Sequence, residues 1–343
     1  MSISAAIYGC AGLELNAAER AFFRETQPWG FILFARNVDT PDQVRRLAAS
    51  LREAAGHEAQ ILIDQEGGRV QRLRPPHWHR YPSGRAYGNI RAIDPESGLA
   101  AARLGARLIA EELRALGITV NCLPVLDVPA PGAHDVIGDR AYAETPDAVA
   151  ALGRAAAEGL LAGGVLPVMK HIPGHGRARV DSHKNLPIVA ASRRELEERD
   201  FLPFHALRDL PMAMTAHVVY SAIDPEAPAT TSRKLIDEIV RRQIGFDGLL
   251  MSDDLSMKAL SGGLDERARA SLAAGCDIAL HCNGRMEEMQ AVAGAVPALA
   301  GAARVRAESV SAALPGRTDM LDPAEGYAQL AEFMTVNPED RWG

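Results

Sequence analysis

The densest chemistry in this chain lies between residues 170 and 183. The run reads Lys170-His171-Ile172-Pro173-Gly174-His175-Gly176-Arg177-Ala178-Arg179-Val180-Asp181-Ser182-His183 and holds three of the ten histidines. Its glycines and Pro173 demand tight backbone turns. One chemistry for such a set is a metal site, from His171, His175 and His183 with Asp181. The i, i+4 spacing of His171 and His175 would suit a helix, but Pro173 and Gly174 forbid one between them. The other chemistry is proton transfer. Asp181 stands two residues before His183, so its carboxylate can hold one ring nitrogen and leave the other facing a cleft. An imidazole titrates near neutral pH and can give and retake a proton. Such an acid/base needs a nucleophile, and Asp253, after Met251-Ser252, is the candidate. One of the pair Asp253-Asp254 is expected to N-cap the next helix, a task that needs only one of the two.

Eight apolar runs of strand length must position these groups. They are Ala5–Cys10, Trp29–Phe34, Gln60–Asp64, Ile118–Leu123, Val165–His171, Met212–His217, Gly248–Ser252 and Asp277–Cys282. Helical spacing recurs between them, at Asn16–Glu25, Thr40–Ala55, Pro95–Leu116, Pro146–Ala162, Ser192–Leu207, Ser232–Gln243 and Leu264–Ala274. Thr40, Asp94 and Thr145 before prolines, and Ser192 with Glu195, are start signals. Gly56, Gly117, Gly163-Gly164 and Gly275 are stop signals. Strands that are apolar throughout and alternate with helices imply a parallel sheet buried on both faces. Eight such units predict an α/β fold, a (β/α)8 TIM barrel, rather than an open doubly wound sheet, for which no G-x-G-x-x-G follows the first strand. One domain is expected over residues 1–343, with a C-terminal helix at Pro323–Phe333 inside a tail of about 316–343.

In a barrel, the site is built where the strands end at their C-terminal side. Polar residues stand at seven of those ends: Arg36-Asn37, Asp64 through Arg69, Asp127, Lys170-His171, His217, Asp253-Asp254, and His281 with Asn283. Single members have plain structural alternatives. Arg69 or Arg72 can form a salt bridge, Arg140 can pair with Asp139 or Asp135, and His171 can simply pack. His175 is expected to support the loop backbone, while His217 and Asp127 stay open.

Composition narrows the classes further. The 343 residues carry 37 Lys and Arg against 44 Asp and Glu, a net charge of −7, with 47% hydrophobic residues. That excess of acid gives no basic footprint for nucleic acid or an anionic membrane surface. Cys10, Cys122, Cys276 and Cys282 include no C-x-x-C and are expected as buried thiols in a reducing compartment. Ala5–Cys10 has no preceding Lys or Arg and reads as a strand rather than a secretory signal. Ala291–Ala303 is too short to cross a membrane. Aromatic residues are only 5%, which disfavours a stacking platform for a long polysaccharide.

The histidine run, with its Asp181-Ser182-His183 end, resembles the signature of bacterial glycoside hydrolase family 3. Within that family it is similar to the single-domain β-N-acetylhexosaminidases of peptidoglycan recycling. Three supporting blocks occur in family order: Asp64-Gln65-Glu66-Gly67-Gly68-Arg69-Val70-Gln71-Arg72, Ile137-Gly138-Asp139-Arg140-Ala141-Tyr142 and Ser252-Asp253-Asp254-Leu255-Ser256-Met257. The resemblance implies that Asp253 is the nucleophile and His183 the general acid/base, with Asp181 as its partner. It implies that Asp64, Arg72, Arg140, Lys170 and His171 bind a terminal N-acetylglucosamine. It implies hydrolysis with retention through a covalent aspartyl intermediate, on small soluble muropeptide fragments. The 174–184 loop is expected to move like a lid. No metal, no cofactor, no nucleic-acid or membrane partner, a monomer and a cytoplasmic location complete the expectation. A β-glucosidase or phosphorylase on the same barrel, and a sugar-binding protein without catalysis, are the alternatives.

Overall fold

In a computed structural model, which describes residues 2–182, 184–314 and 320–335, all eight expected strands form. They are β1 (Ser4–Tyr8), β2 (Pro28–Leu33), β3 (Gln60–Ile63), β4 (Val120–Asn121), β5 (Leu166–Ile172), β6 (Met212–Thr215), β7 (Leu249–Met251) and β8 (Ala279–His281). Every neighbouring pair is parallel, in the order β7-β6-β5-β4-β3-β2-β1-β8. A parallel bridge between Met251 and Ile278 closes the circle. The barrel expected from the sequence is therefore observed.

Alternation along each strand sorts the core into two shells. Ile7, Ile32, Leu62, Val168, Met212 and Leu249 fill the barrel. Ala6, Tyr8, Phe31, Leu33, Ile61 and Ile63 face outward beneath the helices. Each fully buried Leu or Ile contributes about 1.5–3 kcal/mol of transfer free energy, so both shells hold the strand ends in place.

The surrounding helices follow their caps. They begin with α1 (Ala17–Thr26) and α2 (Pro41–Ala55), the latter started by the Thr40 hydroxyl on the Gln43 amide and ended by Gly56 at φ +74°. After α3 (Gly84–Ile93), Asp94 accepts from the Glu96 and Ser97 amides and starts α4 (Pro95–Ala115). Thr145 precedes α5 (Pro146–Ala162) at the expected place but makes no side-chain cap bond. The expected helix 192–207 is not continuous. Ser192 and Glu195 form their capping box, Leu196–Asp200 then widens into a π-helical turn, and α6 (Leu202–Ala206) follows. Next come α7 (Leu235–Gln243), also with π-helical bonding, and α8 (Leu264–Ala274). The remaining helices are α9 (Met286–Ala293), α10 (Gly301–Ala312) and α11 (Pro323–Met334), which packs on α4.

Two expectations need correction. Neither Asp253 nor Asp254 caps the next helix, because α8 starts at Gly263 with Glu266 reaching back to its amide. Asp254 instead organises a turn, accepting from the Ser256 amide, the Ser256 hydroxyl and the Cys282 amide. The α3, α9 and α10 segments were not expected as helices. No helix among the described residues is long and apolar enough to cross a membrane. All four cysteines are buried free thiols.

Candidate active site

The C-terminal strand ends converge on a cavity of about 280 Å³. That is below the roughly 300–1,000 Å³ typical of pockets for drug-sized ligands, and it is room for one sugar ring rather than a chain. Ile32, Phe34, Met214 and Leu280 form part of its floor and walls. Asp64, Glu66, Arg72, Arg140, Lys170 and Asp253 face into it, with His171, His175 and Ser182 beside them.

Its charges are interlocked. Lys170, from β5, lies 2.8 Å from Asp64 and 2.6 Å from Glu66. Arg72 donates to Asp64 at 3.0 Å, and Arg140 grips both oxygens of Glu66 at 2.8 and 2.9 Å. Burial alone would raise both carboxyls. The Lys170 and Arg72 charges outweigh it at Asp64 and hold that group well below the usual range. Arg140 and Lys170 bring Glu66 down to about 2. Burial would lower Lys170, yet the two carboxylates hold it above its ordinary value. Asp64, Glu66, Lys170 and Arg140 are thus ionised at neutral pH, a fixed array of donors and acceptors for hydroxyl groups.

Each of the three arginines has a carboxylate partner. Arg140 pairs with Glu66, not with Asp139 or Asp135. Arg69 takes Asp139 at 2.9 Å, which leaves Arg72 on the cavity. Glu66 was missed as a site residue. The signal was present, since Asp64 and Glu66 are two residues apart and point the same way from an extended chain.

Asp127 is fully buried and organises the start of the histidine loop. Its Oδ2 accepts from His171 Nδ1 at 2.7 Å. Its Oδ1 accepts from the His171 and His175 amides at 3.2 and 2.6 Å. Burial would raise this carboxyl, and the two histidines bring it to about 2. His171 is thus oriented rather than merely packed. His175 lies 3.1 Å, through Nε2, from Ser182 Oγ, and burial pushes it down to about 4. Its ring meets a loop side chain rather than the expected loop backbone, and it is neutral at pH 7. Asp181 closes the turn beyond, its carbonyl accepting from Lys184 and Asn185. His183 lies outside the described residues.

Asp253 follows β7. Its amide donates to Thr215 Oγ1 at 3.3 Å, and its Oδ1 accepts from the Asp254 amide at 2.8 Å. Behind it, burial lowers His217, so the ring is neutral. Its Nε2–H donates to the Asp254 carbonyl at 3.0 Å, while Thr230 Oγ1 lies 2.7 Å from both Nδ1 and Thr215 Oγ1. His217 is scaffolding for the Asp253-Asp254 turn.

The profile of the glycosyl hydrolase family 3 N-terminal domain matches residues 6–312. The chain belongs to that family. It is a glycoside hydrolase. A β-hexosaminidase of Methylococcus capsulatus is 44% identical over 81% of this chain and 82% of its own length. One from Xanthomonas campestris is 40% identical over 84% and 88%. NagZ from Neisseria gonorrhoeae, solved with a zinc ion and with N-trifluoroacetyl-D-glucosamine, superposes with a TM-score of 0.86 at 32% identity, covering 98% of both chains. A family 3 β-N-acetylglucosaminidase from Paenibacillus gives 0.85 at 32% identity over 96% of this chain and 66% of its own, longer chain.

Proposed function

We propose that this enzyme is a retaining exo-β-N-acetylglucosaminidase acting on small peptidoglycan-derived fragments. The observation that carries the reading is Asp253 on the wall of a cavity sized for one sugar. Of the acids bordering it, Asp64 and Glu66 are each held by two cations. A carboxylate locked between cations is a poor nucleophile and a good acceptor for sugar hydroxyls. The curated relatives are β-hexosaminidases, and the Neisseria relative was solved with an N-acylated glucosamine.

In this mechanism Asp64 accepts from the sugar hydroxyls, while Lys170, Arg72, Arg140 and His171 donate to its oxygens. Asp253 attacks the anomeric carbon as protonated His183 gives its proton to the leaving oxygen. Neutral His183 then takes a proton from water, which attacks the glycosyl ester and frees the sugar with its configuration retained. Asp181 stabilises the imidazolium. Support for the loop's part is that Ser182 lines the same cavity as Asp253. The reading further carries a cytoplasmic, monomeric enzyme of cell-wall recycling that needs neither metal nor cofactor and has no nucleic-acid or membrane partner.

Trapping with a 5-fluoro N-acetylglucosaminyl donor followed by peptide mapping tests it. The label is expected on Asp253, and a label on another residue overturns the assignment. In parallel, Asp253→Ala is expected to abolish release of 4-nitrophenol from its β-N-acetylglucosaminide.

A further inference from the structure

The root of the histidine loop is held from two sides. Asp127 grips residues 171 and 175 from the β4 side, as described above. On the other side is the π-helical turn Leu196–Asp200, closed by the Phe201 amide on the Leu196 carbonyl at 3.0 Å. The extra residue in such a turn re-aims the side chains that follow. It carries Asp200 inward, to 1% exposure, while Glu198 two residues before stays in solvent. Asp200 Oδ2 accepts from Arg177 Nε at 2.7 Å, and Arg177 is part of the loop. The loop backbone lies against the same turn, since a Cβ on Gly174, at φ +138°, would stand 3.2 Å from the Asp200 Cβ. Tyr220 Oη donates to the Gly174 carbonyl at 2.6 Å. Asp200 Oδ1 is buried with no hydrogen-bond partner among the described residues. Burial pushes this carboxyl up to about 6, against the opposing charges of Arg177 and Arg199. A buried, half-satisfied acid is costly to keep, and here what it obtains is a grip on the loop.

We propose that Asp200 is a positioning residue for the acid/base loop, acting through Arg177 to hold the 174–182 segment at the cavity. It touches no reacting atom. The inference rests on the reading that this loop delivers the proton to the leaving group. If so, loosening Arg177 impairs the step that needs protonation and spares the step that does not.

The test compares two substrates on the full chain. One is 2,4-dinitrophenyl β-N-acetylglucosaminide, whose leaving group needs no proton. The other is N,N′-diacetylchitobiose, whose leaving group needs one. Asp200→Asn and Arg177→Gln are each expected to lower kcat/KM on the disaccharide about tenfold or more, while kcat/KM on the activated substrate, which stops short of the base-assisted second step, stays within twofold of the parent. The double variant is expected to be no worse than either single one. Equal losses on both substrates, or no loss on either, overturn the proposal. Arg177→Gln lies on the loop and carries the test alone if Asp200→Asn does not fold. His183→Ala is run beside them. Equal loss there on both substrates sinks the underlying reading and the proposal with it. A selective loss for His183→Ala without one for Asp200→Asn and Arg177→Gln sinks the proposal alone.

Discussion

Replacing Lys170 by Met keeps most of its volume and removes one charge from the centre of the cavity. In the parent, that ammonium lies within 2.8 Å of Asp64 and 2.6 Å of Glu66, with 2% of its side chain exposed. Removing one partner of a buried ion pair costs about 3–5 kcal/mol. The low end applies, because Asp64 keeps Arg72 and Glu66 keeps Arg140. An unfolding entropy of about 2.1 cal/mol/K per residue gives roughly 0.7 kcal/mol/K over the chain, so about 3 kcal/mol lowers Tm by roughly 4 °C. Under the proposed function, Lys170 also loses a charged hydrogen bond to sugar, about 1.5–3 kcal/mol. That corresponds to roughly a 10- to 100-fold loss in kcat/KM. The pH dependence has a definite sign. Asp64 is held below its unfolded value, so its stabilisation is present above about pH 4 and is lost as pH falls through the depressed native value. Lys170 is held above its own, so its share persists until pH rises past about 10.5. The gap in Tm between parent and Lys170→Met should therefore be flat from pH 5 to 9 and narrow below pH 4. Calorimetry at pH 3 and 7, with 4-nitrophenyl β-N-acetylglucosaminide turnover at pH 7, measures both effects. A variant melting within 1 °C of the parent at pH 7, or a gap unchanged at pH 3, refutes the reasoning.

Gly176→Ala would place a Cβ 2.1 Å from the Val128 carbonyl oxygen. Displacing the loop from that segment should cost about 1–3 kcal/mol and lower kcat, and a melt with parallel turnover assays would show both. Asp254→Ala strips acceptors from the Ser256 and Cys282 amides. About 2–3 kcal/mol of stability should go with them, and activity should fall further because Asp253 shares that turn; unchanged turnover would disprove the link.

The barrel was legible because parallel strands covered on both faces read as unbroken apolar runs, and these eight are bounded by caps and glycines. The site was legible where a charged side chain interrupts such a run, as at Asp64, Lys170 and Asp253. Glu66 and Asp127 were harder. Their roles come from partners distant in sequence, Arg140 for one and His171 and His175 for the other, and a single chain does not display pairings. The helix α3 carries Gly84 and Gly88, residues that weaken a helical pattern. A Cβ on them would stand 2.3 Å from the Arg140 carbonyl oxygen and 1.7 Å from that of Tyr142. Those glycines are there for close packing, not for a turn. The break at 196–200 gave no local sign either, since Asp200 faces inward toward a loop more than twenty residues away.

The closing seam between β7 and β8 is joined by more than a backbone ladder. Backbone pairing there is reinforced by side chains: Asp277 Oδ2 accepts from the Leu250 amide and Ser252 Oγ from that of Leu280. The same Asp277 carboxylate is gripped by Arg241 on α7 and Arg306 on α10. A barrel is a hoop, and this one is buckled by an acid and a hydroxyl only a few residues from Asp253. Exchanging either would slacken the stave that bears Asp253 while every other joint stayed tight.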